Sequence, residues 1–241
     1  MNRKIVRTIT LRSFALVVVL CAVWQGQAKD AQGQYPSMAP IDQYMMDRNA
    51  EIALARSAAP EAISRDAKVL VLGRHGYETA SEGKSGFVCV VERAWMADFD
   101  QPEFWNPRIR GPICFNPAAA RSILPLTLKR TDLVLKGLSK PQLIDGIKTA
   151  LEKRELPTLE PGAMCYMMSK LQFLGDSGGH WAPHLMFYVP QTDPAAWGAD
   201  LPGSPVLLLP QFQGRPEPVT VFMVPVRHWS DGTAFVPTHA Q

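Results

Sequence analysis

The 241-residue chain lacks most of the features that announce a function. Its four cysteines and five histidines form no C-x-x-C pair and no Cys/His spacing of the zinc-binding kind. There is no internal repeat, and no block of lysine or arginine follows the extreme N-terminus. That removes the electrostatic case for nucleic acid or an anionic lipid surface as a partner. The longest apolar run, Phe14–Trp24, is about half the ~20 residues that a membrane-spanning helix needs. Nothing in the sequence implies a cofactor.

What is present begins at the N-terminus. Arg3, Lys4, Arg7 and Arg12 precede the apolar run with no acidic residue among them, and the small residues Gly26 and Ala28 follow it. This is the order of a secretory signal peptide: basic, apolar, then a small-residue cleavage site. Residues 1–28 are therefore expected to be a signal peptide cleaved after Ala28. Residues 29–39 are expected to be a flexible lead-in, and residues 40–241 a single domain of about 200 residues. The expected address is periplasmic or secreted, with no stable transmembrane anchor after cleavage. Leu20 before Cys21 is not the small residue that a lipid-attachment cysteine requires. Loss of the four basic residues takes the formal charge from +3 to near neutral. It also leaves Cys89, Cys114 and Cys165 in an oxidising compartment that permits a disulfide. Cys89 and Cys165 sit in apolar, strand-like runs and read as buried thiols. Cys114, in a proline-rich stretch, is the natural partner should a bridge form.

Along the domain, a first helix is expected from Pro40 through Ile41, Tyr44, Met45, Ile52 and Ala55, stopped by Pro60. A β-meander follows, with strands at 68–72, 76–80 and 86–93 and turns at 73–76 and 82–86. Residues 95–117, rich in aromatics and proline, read as an ordered loop packed on the core. Asn116-Pro117 starts a helix, Pro125 ends or kinks it, and a second segment runs to Gly137. Ser139 and Gln142 have capping-box spacing, and Leu143, Ile144, Ile147, Ala150 and Leu151 behind them share one helical face. Strands then return at 163–169, 185–189, 206–209 and 219–224, with a hairpin loop over 211–218. More than half of the 21 prolines lie from residue 157 on. Short strands with such connections favour antiparallel pairing, since parallel crossovers need a dozen or more residues. The segregated order of strands, helices and strands points to an α+β domain built on a mainly antiparallel sheet.

Three motifs carry possible chemistry. Arg74-His75-Gly76, directly after a strand, resembles the signature of the histidine phosphatase superfamily. There a neutral imidazole is the nucleophile and a guanidinium holds the phosphoryl group. The resemblance implies a phosphomonoester hydrolase with His75 as nucleophile, His228 as the second histidine and Arg121 as a further phosphate ligand. The competing reading is a polar β-turn. Gly175-Asp176-Ser177-Gly178-Gly179 resembles the nucleophile loop of trypsin-like serine proteases, which would make Ser177 the nucleophile with His75 and Asp98 or Asp100. Those enzymes, however, are all-β, and the helices expected here oppose that reading. His180 and His184 are four apart. Gly178, Gly179 and Pro183 exclude a helix between them, so the pair shares a side only as extended chain. With Asp176 nearby they form a metal-site candidate, against the alternative of packing and hydrogen bonding at a loop–strand junction.

Over nearly all of the mature chain, residues Gly76–Glu78, Gly86–Arg93, Met164–Ser169 and Pro183–Tyr188 resemble exported bacterial proteins of unassigned function. The resemblance brings no activity with it. The sequence favours an exported soluble protein acting as a binding or envelope-associated module, ahead of a hydrolase. If it holds a site, polar residues at strand ends are the candidates: Glu92, Arg93, Asp176, Ser177 and His184.

Overall fold

The computed structural model describes residues 34–176, 181–210 and 216–236. The signal segment 1–28, residues 29–33 of the lead-in, Ser177, His180 and most of the 211–218 loop lie outside the described residues.

The chain opens with a short 3₁₀ turn, Ile41–Gln43, and then α1 (Arg48–Arg56), whose N-terminus Asp47 caps by accepting from the Ala50 N–H at 2.9 Å. A single turn, α2 (Glu61–Ser64), follows Pro60. The continuous helix expected from Pro40 is thus broken at 44–47. Tyr44 is fully buried there, donating its hydroxyl to the Trp105 carbonyl at 2.7 Å, and Asp47 offers a cap where a helix interior would waste it.

β1 (Lys68–Gly73) and β2 (Gly76–Ser81) form a hairpin closed by Arg74 and His75, and β3 (Val88–Glu92) comes next. β3 does not continue the meander beside β2. It pairs parallel with β1 on its other side, Val69 opposite Cys89. Sequence favours this arrangement, because β1 and β3 are near-continuous apolar runs suited to burial on both faces, whereas β2 has only Gly76 buried and exposes Glu78 and Thr79. The 82–87 connection passes tightly beneath the start of β1. Lys84 and Ser85 donate to the Asp66 carbonyl at 3.0 and 3.2 Å, and a Cβ on Gly83 would lie 2.4 Å from Asp66 and Lys68 backbone.

After a 3₁₀ turn at Ala94–Met96 comes a strand the sequence reading did not anticipate, β4 (Gly111–Phe115), antiparallel to β3. Pro112 argued against it. Arg110 and Asn116 donate their N–H groups toward Phe173 and Met164, so Pro112, in step with them, turns its nitrogen to that same side. There the chain veers away, Met168 donating to Ala58, and no ladder bond is lost. Cys89 and Cys114 are opposed across β3 and β4 and joined in a disulfide with Cα atoms 4.0 Å apart, while Cys165 stays free and buried. Of the two residues expected as buried thiols, Cys89 is instead bridged to Cys114 and Cys165 remains a thiol.

Helices α3 (Pro117–Ser122, capped by Asn116) and α4 (Leu124–Leu135, Pro125 in its first turn) lead to α5 (Lys140–Glu152), whose Ser139–Gln142 capping box is formed. Strands β5 (Met164–Met167), β6 (His184–Pro190), β7 (Leu207–Leu208) and β8 (Val219–Pro225) complete one eight-stranded sheet in the order β2-β1-β3-β4-β5-β6-β8-β7. Only β1 and β3 run parallel, so the fold is α+β with a mainly antiparallel sheet. No helix among the described residues is long and apolar enough to cross a membrane.

Period-two alternation sorts side chains between the faces. Val69, Cys89, Val91 and Cys114 meet α1 on one; Leu70, Val90, Ile113, Phe115, Cys165, Met186 and Val221 meet α3 and the start of α4 on the other. The aromatic segment Trp95–Trp105 packs between α4, α5 and Tyr44 as a further cluster.

Candidate functional site

Strand directions decide which residues meet. β3 ends where β4 begins, with Glu92 opposite Gly111, and β5 ends where β6 begins, with Met167 opposite His184. All four positions lie at one end of the sheet. Above them is a cavity of about 420 Å³, roofed by the segment from Ala94 to Glu103 and flanked by Leu174, Gly175 and Trp181. Gly111 helps keep it open: a Cβ there would sit 3.3 Å from Leu174 Cδ2 and 3.6 Å from Met167 Cε. The wall is mostly apolar, with Met96, Ile109, Met167, Leu174, Met186 and Leu209, and Trp181 is 43 % exposed.

Glu92 is the acid at the strand-end floor of this cavity, which Asp98 and Glu103 also line. Thr127 donates its hydroxyl to Glu92 Oε1 at 3.0 Å, and no cation among the described residues is ion-paired with it. Burial raises its carboxyl to about 7 against the partial relief of Thr127 and Arg130. On its other side is a 70 Å³ cavity lined by Thr127, Arg130, Tyr188 and Glu217. Arg130 forks onto Glu217 at 2.8–3.0 Å and also donates to the Ala97 carbonyl at 3.1 Å, joining α4 to both the roof segment and the approach to β8.

His184 is 1 % exposed. Its Nδ1 lies 2.7 Å from the Ala182 carbonyl, which can only accept, so Nδ1 carries the proton and Nε2 the lone pair. Nε2 is buried without a hydrogen-bond partner, and desolvation lowers the imidazole's affinity for a second proton.

Of the residues singled out from sequence, Glu92, Arg93 and His184 line this one cavity. Arg93 does so with its guanidinium turned away. It donates to Glu51 and to the Tyr44 carbonyl at 2.8 Å, and to the Val91 carbonyl, pinning α1 to β3. Asp176 stands beside the cavity and anchors its flank: it accepts from Tyr35 and Arg108, and its N–H donates to Glu103. Asp98 lines the cavity and Asp100 is exposed.

The remaining candidates are elsewhere. Arg74 and His75 form the exposed β1–β2 turn, Arg74 paired with Asp42 at 2.7 Å. His228 is exposed beyond β8. It shares the sheet end with His75, but β1 and β8 are five strand spacings apart, about 24 Å along the sheet. Arg121, exposed on α3, is paired with Glu160. These residues form no common cleft.

Thr127, Arg130 and Glu217 escaped sequence reasoning. The first two had a signal: with Leu124, Thr131 and Val134 they fall on the buried stripe of α4, polar groups on a face that ought to be apolar. Glu217, flanked by prolines, had none. No family model, curated protein or solved structure matches the chain.

Proposed function

We propose that this is an exported binding protein whose ligand site is the cavity at the shared end of β3, β4, β5 and β6. The observation that carries the reading is the presence, in one mostly apolar wall, of two polar groups that the fold does not use up. Glu92 has a neutral hydroxyl as its partner, and His184 keeps an unpartnered ring nitrogen. Buried polar atoms are normally satisfied, so an unpartnered His184 Nε2 in the same cavity as a carboxyl without an ion-pair partner is a feature of recognition. The volume falls within the ~300–1,000 Å³ of small-molecule sites, and the half-exposed Trp181 indole gives a ligand a flat apolar surface at the rim. The Cys89–Cys114 disulfide supports the oxidising compartment expected from the N-terminal segment.

The test uses N-phenyl-1-naphthylamine, a neutral apolar fluorophore, as a probe of the mature chain. Saturable enhancement of its emission at one site per chain is expected. Gly111→Leu, filling the cavity from its floor, and Met96→Trp, filling it from the roof, each abolish the enhancement. A wild-type protein with no saturable signal, or a signal indifferent to both fillers in folded variants, refutes the reading.

A further inference from the structure

His184 shows the arrangement that a histidine adopts as a metal ligand. Its Nδ1–H is held by a backbone carbonyl, which fixes the tautomer and ring plane, and its Nε2 lone pair is left without a hydrogen-bond partner in a 1 %-exposed side chain. The Trp181 ring lies beside the imidazole, centroids 5.9 Å apart, and three thioethers line the same cavity. Met167 is directly opposite His184 across β5 and β6, and Met186 is two residues further along β6 on the same face. Met96 comes down from the 3₁₀ turn of the roof, and all four residues line the same cavity. Directly opposed residues have Cβ atoms about 5 Å apart, and unbranched methionine side chains with three rotatable bonds can turn their sulfurs to a common point.

From this juxtaposition we infer that His184, Met167, Met186 and Met96 form a binding site for a soft monovalent metal ion, Cu(I). The inference rests on the cavity being the protein's ligand site and names its ligand. Ligand chemistry selects the ion. Thioethers are soft donors that suit Cu(I) and are poor ligands for Mg²⁺ or Ca²⁺. The described residues also contain no group of three His, Cys, Asp or Glu side chains able to hold a harder cation. The buried thiol Cys165 is not needed: its sulfur is 3.3 Å from the Tyr188 hydroxyl. Binding is ligation alone, with no change in oxidation state.

The mature chain, kept anaerobic with ascorbate, is titrated with Cu(I) in competition with bathocuproine disulfonate. One Cu(I) per chain is expected, with X-ray absorption showing a sulfur-dominated shell plus one nitrogen and with Zn(II) failing to compete. Met167→Leu and Met186→Leu conserve volume and so preserve folding. Each is expected to weaken Cu(I) by about tenfold or more, the scale on which even outer-shell partners act, and the double variant to abolish retention. Cys165→Ala leaves affinity unchanged. Failure of the wild type to retain Cu(I), or retention that survives the double Leu variant or disappears in Cys165→Ala, overturns the inference. Saturable fluorophore binding without Cu(I) retention sinks the metal and leaves the cavity reading standing; loss of both sinks both.

Discussion

Replacing Glu51 by alanine tests the claim that a buried ion pair, not the site, holds α1 to the sheet. Glu51 and Arg93 are each 1 % exposed. Glu51 Oε1 accepts from Arg93 Nη2 at 2.8 Å and from the Leu72 N–H at 3.1 Å. Truncation leaves the guanidinium in the interior without its counter-charge and one strand N–H without an acceptor. Breaking a buried pair from one side costs about 3–5 kcal/mol. Against a total stability of about 5–15 kcal/mol and a urea slope near ~2 kcal/mol/M, the unfolding midpoint should fall by about 2 M. Glu51→Gln keeps an acceptor for Leu72 and should lose less. Combining Glu51→Ala with Arg93→Met should recover part of the loss, because the orphaned charge is then gone, and the double-mutant cycle measures the coupling. A midpoint shift below about 0.5 M for Glu51→Ala, or strict additivity in the cycle, refutes the account.

Burial holds the Glu92 carboxyl at about 7 in the folded chain against an ordinary 4.5, so the folded state binds a proton that the unfolded state has released. Stability from this group is therefore lost as pH rises from about 4.5 to 7, by up to ~3 kcal/mol. Urea unfolding at pH 5 and pH 8 should show that loss in the wild type and not in Glu92→Gln; equal pH dependence in both would refute the assignment. The Cys89–Cys114 bridge spans 25 residues, for which loop-closure entropy gives about 3.5 kcal/mol of stabilisation. Denaturation with and without reductant measures it, and because both cysteines are fully buried, the folded protein should resist dithiothreitol until denaturant is added. His75→Ala, at the exposed β1–β2 turn, should move stability by no more than about 0.5 kcal/mol and leave fluorophore binding untouched. A large effect on either would place His75 in a role that the turn does not provide.

The α+β class was legible because the helical periodicity of α5 and the apolar runs of β1, β3, β6 and β8 are local signals. The caps at Asn116 and Ser139 and the glycine at Gly137 marked helix boundaries for the same reason. β4 was hidden by Pro112, whose tolerance depends on where the neighbouring strand turns away, a fact that no window of β4 contains. The placement of β3 beside β1 and not β2 was equally non-local, although the uninterrupted apolar character of both strands hinted at it. Glu92 and His184 could be picked out as polar residues at strand ends, but nothing in their own segments says that they share a cavity.

By itself the sequence determined most of the secondary-structure inventory, β4 excepted, the near-neutral charge of the chain beyond residue 28 and the absence of any long apolar span, all properties of contiguous stretches. Only the tertiary structure decided the rest. Strand order and direction bring the end of β3, the starts of β4 and β6 and the end of β5 to one rim. There residues separated by some 90 positions of chain face a common space, and burial shifts Glu92 while leaving a histidine nitrogen without a partner. Proximity and desolvation depend on what the rest of the chain places alongside a residue, which local pattern does not encode.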